Sequence, residues 1–175
     1  MRIPQLRGVA GRVATLVLLL MCAVPPAARA TVLDDLRGRW GTSADGSAVM
    51  EWTAGDGVFG LSWTPAGGAL TAVRFSSVGR PNVYAGSTEA GWTMMGAMFG
   101  DDGPVNPLRG GTLYWARTAD DAVYVYSLVI DDNGAFVLDR YACRIEQGAL
   151  AVTTARRTAD GSEAPQEQKL VRIGQ

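Results

Sequence analysis

The sequence predicts an all-β domain: a single antiparallel, mostly up-and-down barrel of about eight to ten strands, preceded by a short helical turn. Three observations carry that reading. Short runs rich in Val, Trp, Tyr, Phe and Thr alternate apolar and polar residues at period two. Gly, Asp, Asn and Pro break those runs at short intervals, as antiparallel hairpins require. Beyond Gly38 no stretch sustains helical periodicity.

Residues 1–30 stand apart from this pattern. Arg2, Arg7 and Arg12 form a basic lead, "VATLVLLLMCAV" is a compact apolar core, and "PPAARA" ends in the small-residue cleavage signal Ala28-Arg29-Ala30. The apolar run is shorter than the about 20 residues that a bilayer crossing needs. The expectation is a signal peptide cleaved after Ala30, which makes residues 31–175 one secreted or periplasmic domain with no transmembrane segment. Lipid attachment at Cys22 would put bulky Met21 where a small residue is required.

In the remaining 145 residues, "TVLDDLRG" places Leu33 and Leu36 three apart, enough for one helical turn. Strands are then expected at 39–43, 48–53, 58–64 and 70–76, joined by "ADGS", "AGDG" and "PAGG". A short strand at 83–85 and one at 92–99 follow. Residues 100–111 hold Pro104 and Pro107 and are expected as a rim loop. Strands at 112–118, 122–130, 136–145, 149–156 and 168–173 complete the chain. "DDNG" (131–134), between the expected strands 122–130 and 136–145, reads as a tight I′-type hairpin turn, because Asn-Gly accepts two positive φ angles. The polar stretch from Arg156 to Gln168 reads as a loop. Closure into a barrel removes exposed strand edges, and an antiparallel sandwich is the alternative.

Composition narrows the chemistry. The segment 31–175 keeps 12 basic and 17 acidic residues, a formal charge of −5, with Lys169 its only lysine. That balance argues against a phosphate-backbone binder, so no nucleic-acid partner is expected. Cys143 is the only cysteine after residue 30, which precludes an intramolecular disulfide, and its place in an alternating strand reads as a buried small hydrophobe. The chain contains no histidine, which excludes a Ser-His-Asp triad, a Cys-His dyad and a histidine zinc site. The doublets Asp101-Asp102, Asp120-Asp121 and Asp131-Asp132 lie in three separate turns rather than one calcium loop. No metal and no cofactor are expected. A membrane-spanning barrel would need longer strands with an apolar outer band and a polar lumen, whereas both faces of "AVYVYSLVI" are apolar.

Trp52, Trp63, Trp92, Trp115 and Tyr126 are the candidate walls of an aromatic-lined cavity. Glu51, Arg74 and Arg117 lie within expected strands and are candidate polar anchors, with Asp139 and Arg140 also in strands. An inward Glu51 or Asp139 paired with Arg74 or Arg117 would hold a polar ligand group, because a buried charge needs a partner. Met94, Met95, Met98 and Phe99 form a soft apolar cluster. The ligand-binding set is therefore Glu51, Trp52, Trp63, Arg74, Trp92, Trp115, Arg117 and Tyr126, with no catalytic residue assigned. Glu51 and Asp139 are the acid/base candidates if the chain is an enzyme.

The opening resembles the lipocalin and wider calycin pattern, in which a helical turn precedes Gly-x-Trp on the first strand. Leu36, Gly38 and Trp40 carry the match. The resemblance implies a Trp that closes the barrel floor under an Arg from a late strand: Arg172 of "KLVRIG", with Arg156 or Arg157 as alternatives. "AVMEWTAGDGVFGLSWTPAGG" is similar to exported bacterial lipocalin-like domains, although Glu51 and Trp52 are adjacent where those domains separate them. The first hairpin also resembles that of avidin-like barrels, at Trp40 and Ser47. On that pattern Gly38, Trp40 and Arg172 are structural and the function stays open; the leading expectation is an exported barrel that binds a small apolar or amphipathic molecule. An envelope-associated interaction or structural module with a filled core is the alternative, followed by a carboxylate-based isomerase or hydrolase.

Overall fold

Ten strands hydrogen-bond side to side until the last meets the first. The computed structural model describes residues 31–174 except 45, 56, 65–68, 89–104 and 120. Helix α1 (Val32–Leu36) is followed by β1 (Gly38–Gly41), β2 (Met50–Gly55), β3 (Val58–Trp63), β4 (Thr71–Ser77), β5 (Val83–Thr88), β6 (Leu113–Ala119), β7 (Ala122–Ile130), β8 (Phe136–Glu146), β9 (Ala149–Thr158), β10 (Gly161–Ser162) and β11 (Gln166–Ile173). Strands β1 to β9 each pair antiparallel with the next, β9 pairs with β11, and β11 returns to β1. The two-residue β10 adds to β9 beside the start of β11. The expected barrel and its helical lead-in are both present.

Register fixes which face is inside. Trp40 lies opposite Met50, which lies opposite Trp63; Trp52 lies opposite Leu61, and Leu61 opposite Val73. The same face continues through Tyr114, Ala116, Val123 and Val125 to Tyr141, Cys143, Leu150 and Leu170. Most of these side chains are buried in one continuous core. The outer face carries Glu51, Arg74, Arg117, Arg140 and Arg144, all exposed. An apolar interior under a charged exterior is the reverse of a membrane-spanning barrel. Among the described residues no helix is long and apolar enough to cross a bilayer.

The inner walls differ in bulk because the barrel has a fixed width. On β2, β3 and β4 the inward residues include Trp52, Phe59, Leu61 and Phe75, whereas β7 and β8 contribute Val123, Val125 and Cys143. Two walls of large rings would not fit at interior packing density. Gly86 on β5 follows from the same crowding. A Cβ there would stand 2.6 Å from the Tyr114 Cβ and 2.8 Å from the Phe75 ring.

Two local expectations change. The connection 131–135 is not a two-residue I′ turn: only Gly134 has positive φ, at 81°. The Asp131 carboxylate instead accepts from the Asn133 and Ala135 N–H groups at 2.9 and 2.8 Å, which stabilises a longer loop. Arg156 and Arg157 are not in a loop either, since β9 runs to Thr158 and β11 begins at Gln166. The strand expected at 92–99 lies outside the described residues.

Candidate functional site

The chain's connections sort by length. At one end β2–β3, β4–β5, β6–β7 and β8–β9 turn within a few residues, and α1 packs against β2, β7 and β8. This end is the floor. The β1–β2 and β7–β8 connections and the β9–β11 arm lie at the other end, the mouth.

The floor is filled. The Trp40 indole N–H donates to the Leu36 carbonyl at 2.8 Å, so the helix and the first strand lock together. The Arg172 guanidinium stands 4.5 Å over the Trp40 ring and donates to the carbonyls of Arg37 (2.7 Å) and Asp35 (3.1 Å). These are among the last carbonyls of α1 and its C-cap, which have no intrahelical donor. Gly38, at φ 128°, permits the approach, since a Cβ there would sit 3.0 Å from an Arg172 Nη1. The roles implied for Gly38, Trp40 and Arg172 are thus observed. Above them Phe59 stacks on Phe75 at 4.7 Å and on Trp52 at 5.7 Å, and Tyr84 meets Phe59 edge-on at 5.1 Å.

Toward the mouth the interior changes character. Tyr114, Ser127, Asp139 and Arg156 occupy successive paired positions across β6 to β9, a polar row on the inner face. Asp139 is buried and receives two parallel bonds from Arg156, Nε at 2.7 Å and Nη2 at 3.1 Å. A bidentate pair satisfies the carboxylate that burial would otherwise penalise. Trp63 meets Tyr114 and Tyr141 edge-on at 6.1 and 5.6 Å. Beneath the rim lies a cavity of about 300 Å³, lined by Met50, Trp63, Tyr141, Thr154, Arg156 and Leu170 among others. Its size is at the lower end of ligand pockets, which span about 300–1,000 Å³.

Electrostatics follow the same division. Burial pushes the Tyr114 hydroxyl up, as it does that of Tyr141, where the nearby Asp139 carboxylate adds to the effect. Asp139 also holds the Arg156 guanidinium more firmly protonated. The buried Trp63 indole N–H is directed to the Tyr141 hydroxyl, opposing the rise there, without meeting full hydrogen-bond geometry. Lower down, the buried Trp52 indole N–H has no partner among the described residues. Burial pushes the Cys143 thiol from its ordinary 9.0 up to about 12, so it is packed as a small hydrophobe rather than poised as a nucleophile.

Of the eight candidate ligand residues, Trp52 and Trp63 face inward, diagonal to each other across the β2–β3 pair. Only Trp63 borders the cavity. Glu51, Arg74, Trp115, Arg117 and Tyr126 lie on the outer face by register, and Trp92 lies outside the described residues. Glu51 and Arg74 share a shallow outer groove of about 490 Å³, open because Gly60 has no side chain between Thr53 and Arg74. No ion pair joins them among the described residues. Trp115 stacks flat on Tyr126 at 4.9 Å, and Arg117 covers Tyr124 at 4.6 Å, forming an outer ladder on β6 and β7. The inward ion pair envisaged between Glu51 or Asp139 and Arg74 or Arg117 does not form: Asp139 meets Arg156 instead. The acid/base candidates Glu51 and Asp139 point to opposite faces and do not converge.

Tyr114, Tyr141 and Ser127 were not singled out from sequence, and Arg156 was named only as an alternative partner for Trp40. Arg117 alternates in phase with Trp115, and Arg140 pairs opposite Tyr126, so the charged residues mark the aromatic faces of β6 and β7 as outer ones. Read that way, Tyr114 is the inward residue of "TLYWART". No family model, curated protein or solved structure matches the chain. The closed ten-strand antiparallel barrel is consistent with the calycin superfamily fold that the opening resembles.

Proposed function

We propose that the chain is an exported lipocalin-like protein, processed after Ala30, that binds a small amphipathic molecule in the mouth half of its barrel. The observation that carries this reading is the cavity of about 300 Å³ between aromatic walls and a polar row, above a floor that is already packed. Met50, Val152 and Leu170 offer an apolar bed, while Arg156, Thr154 and Gln168 offer polar contacts at the rim. Asymmetry of this kind orients a ligand with its apolar part down. Expression with the native leader, followed by native mass spectrometry of the periplasmic fraction, tests the reading. The expected species begins at Thr31 and carries a small-molecule adduct that organic extraction releases. A chain retaining residues 1–30 would contradict the export, and a protein that is apo and takes up no amphiphile would contradict the binding.

The outer ladder of Trp115, Tyr126, Tyr124 and Arg117 supports a second reading, an envelope-associated interaction module. Aromatic and Arg side chains are enriched at interfaces. That reading expects a dimer or a retained envelope protein in sedimentation, lost on Trp115→Ser.

A further inference from the structure

We infer that the outer wall formed by β6 to β9 docks on an anionic phospholipid surface. Arg117, Arg140 and Arg157 take phosphate groups there, and the Trp115–Tyr126 pair lies at headgroup level. The inference rests on the second reading above, the outer ladder as an interaction face, and names its partner; it does not depend on the mouth cavity. Charge is the first support. Residues 31–175 carry a formal charge of −5. Yet the outer positions of β6 to β9 hold four arginines, Arg117, Arg140, Arg144 and Arg157, against one acid, Glu146. All four arginines are exposed. Glu146 pairs with Arg144 and Lys169 at the floor end of the wall, while Arg117, Arg140 and Arg157 meet no carboxylate among the described residues. Screening over about 8 Å at physiological salt lets this wall act by its own charge rather than by that of the whole chain.

Register sets the three free cations around the rings. Tyr126 lies between Trp115 on β6 and Arg140 on β8. One outer position toward the floor, Tyr124 lies beside Arg117; one toward the mouth, Leu138 lies beside Arg157. Outer positions on a strand are about 7 Å apart and neighbouring strands about 5 Å, so the three cations fall within about 20 Å. The kind of cation points to the partner, because the planar Arg fork takes phosphate oxygens bidentately. Trp and Tyr, apolar in body and polar at the tip, favour the membrane–water boundary. Trp115 stacks on Tyr126 with 3° between their planes, and Arg117 covers Tyr124, so facing sides are occupied and ring edges turn outward. A convex wall of ring edges and guanidinium groups fits a broad, deformable surface. An acidic peptide would call for a groove, and the outer groove lies instead on β2 to β4.

Co-sedimentation of the processed protein with vesicles tests this. Phosphatidylglycerol and phosphatidylcholine in equal parts are compared with phosphatidylcholine alone, in dilute buffer. Each arginine near an anionic surface raises partitioning about fivefold, so about hundredfold stronger binding to the anionic vesicles is expected. That binding should disappear at about 1 M salt, where the screening length falls to about 3 Å. The double variant Arg140→Gln, Arg157→Gln should lower it about 25-fold, while Arg39→Gln on the outer face of β1 should leave it within about twofold. Equal partitioning onto both vesicle types, no binding to either, or an Arg39→Gln loss as large as that of the double variant would overturn the lipid partner. If the protein then dimerises or retains an envelope protein through Trp115, the interaction-module reading stands without it; if it does neither, that reading falls as well. The three substituted side chains are exposed, and the wild-type comparison stands without the variants.

Discussion

At the floor, the Trp40 indole N–H donates to the Leu36 carbonyl at 2.8 Å; at the mouth, the buried Trp63 indole N–H lies against the Tyr141 hydroxyl without full hydrogen-bond geometry. Both rings sit on the inner face of early strands, and each has an arginine from a late strand nearby. The arginines are used differently. Arg172 lies on the Trp40 ring and caps carbonyls at the end of α1, so the Trp40 indole and the end of the helix have partners within the chain, although the neighbouring Trp52 indole N–H has none among the described residues. Arg156 is turned to Asp139, and Trp63 is left facing a cavity. The difference teaches that one barrel divides its interior into a plug that holds the fold and a chamber that its own side chains leave partly open.

Substitutions at the two ends should therefore differ in size. Trp40→Ala removes a fully buried ring, its hydrogen bond and the Arg172 contact, and should cost about 3–5 kcal/mol, read as a lower urea midpoint or loss of the folded state. Arg172→Met leaves two carbonyls and the ring uncovered, and about 2 kcal/mol is expected by the same measurement. At the mouth, Arg156→Met strands the buried Asp139 carboxylate and should cost about 2 kcal/mol, more than Asp139→Asn, because the half-exposed Arg156 can turn to water. Equal losses for that last pair would show that the site is wetter than its geometry implies.

Alkaline pH separates the halves in another way. The Cys143 pKa, raised from 9.0 to about 12, means that the unfolded chain releases its thiol proton while the folded chain retains it. Stability from this group is complete below about pH 9 and falls as pH rises toward 12, by at most about 1.4 kcal/mol per unit. Burial of Tyr114 and Tyr141 acts in the same direction above pH 10. Urea midpoints measured at pH 8, 10 and 11 should decline, and Cys143→Ala should flatten the first part of that decline. The smallest effect belongs to Trp63→Phe, which deletes a donor that makes no hydrogen bond of full geometry: its urea midpoint should stay within about 1 kcal/mol of the parent protein, on either side.

Much of this frame was legible in the residues. Alternation located β7 at its observed bounds and most other strands within about two residues. Gly38, Trp40 and Arg172 announced the floor because their geometry is local: a turn, a positive φ and a stacked ring. Cys143 was readable as core for the same reason. The chamber was harder, because its residues meet only through closure. Asp139 and Arg156 are seventeen positions apart on β8 and β9, and nothing in either strand alone selects Arg156 over Arg74 or Arg117. "AVYVYSLVI" offers two apolar faces, and its smaller one turns inward only because β2, β3 and β4 fill the opposite wall with Trp52, Phe59 and Phe75. Aromatic content therefore pointed to a cavity while misplacing Trp115 and Tyr126, which stack on the outside.

The central claim is that the floor is packed while the mouth holds a cavity, and the indole protons report on both ends at once. In a ¹⁵N-labelled sample titrated with 2-octanone as a small amphipathic probe, the Trp63 Nε1–H resonance, assigned by Trp63→Phe, should move with saturation because its ring lines the cavity. The Trp40 resonance, already bonded to Leu36, should stay in place. A Trp63 resonance that does not move while ligand binds, or a Trp40 resonance that moves with it, would contradict the division of the barrel into plug and chamber.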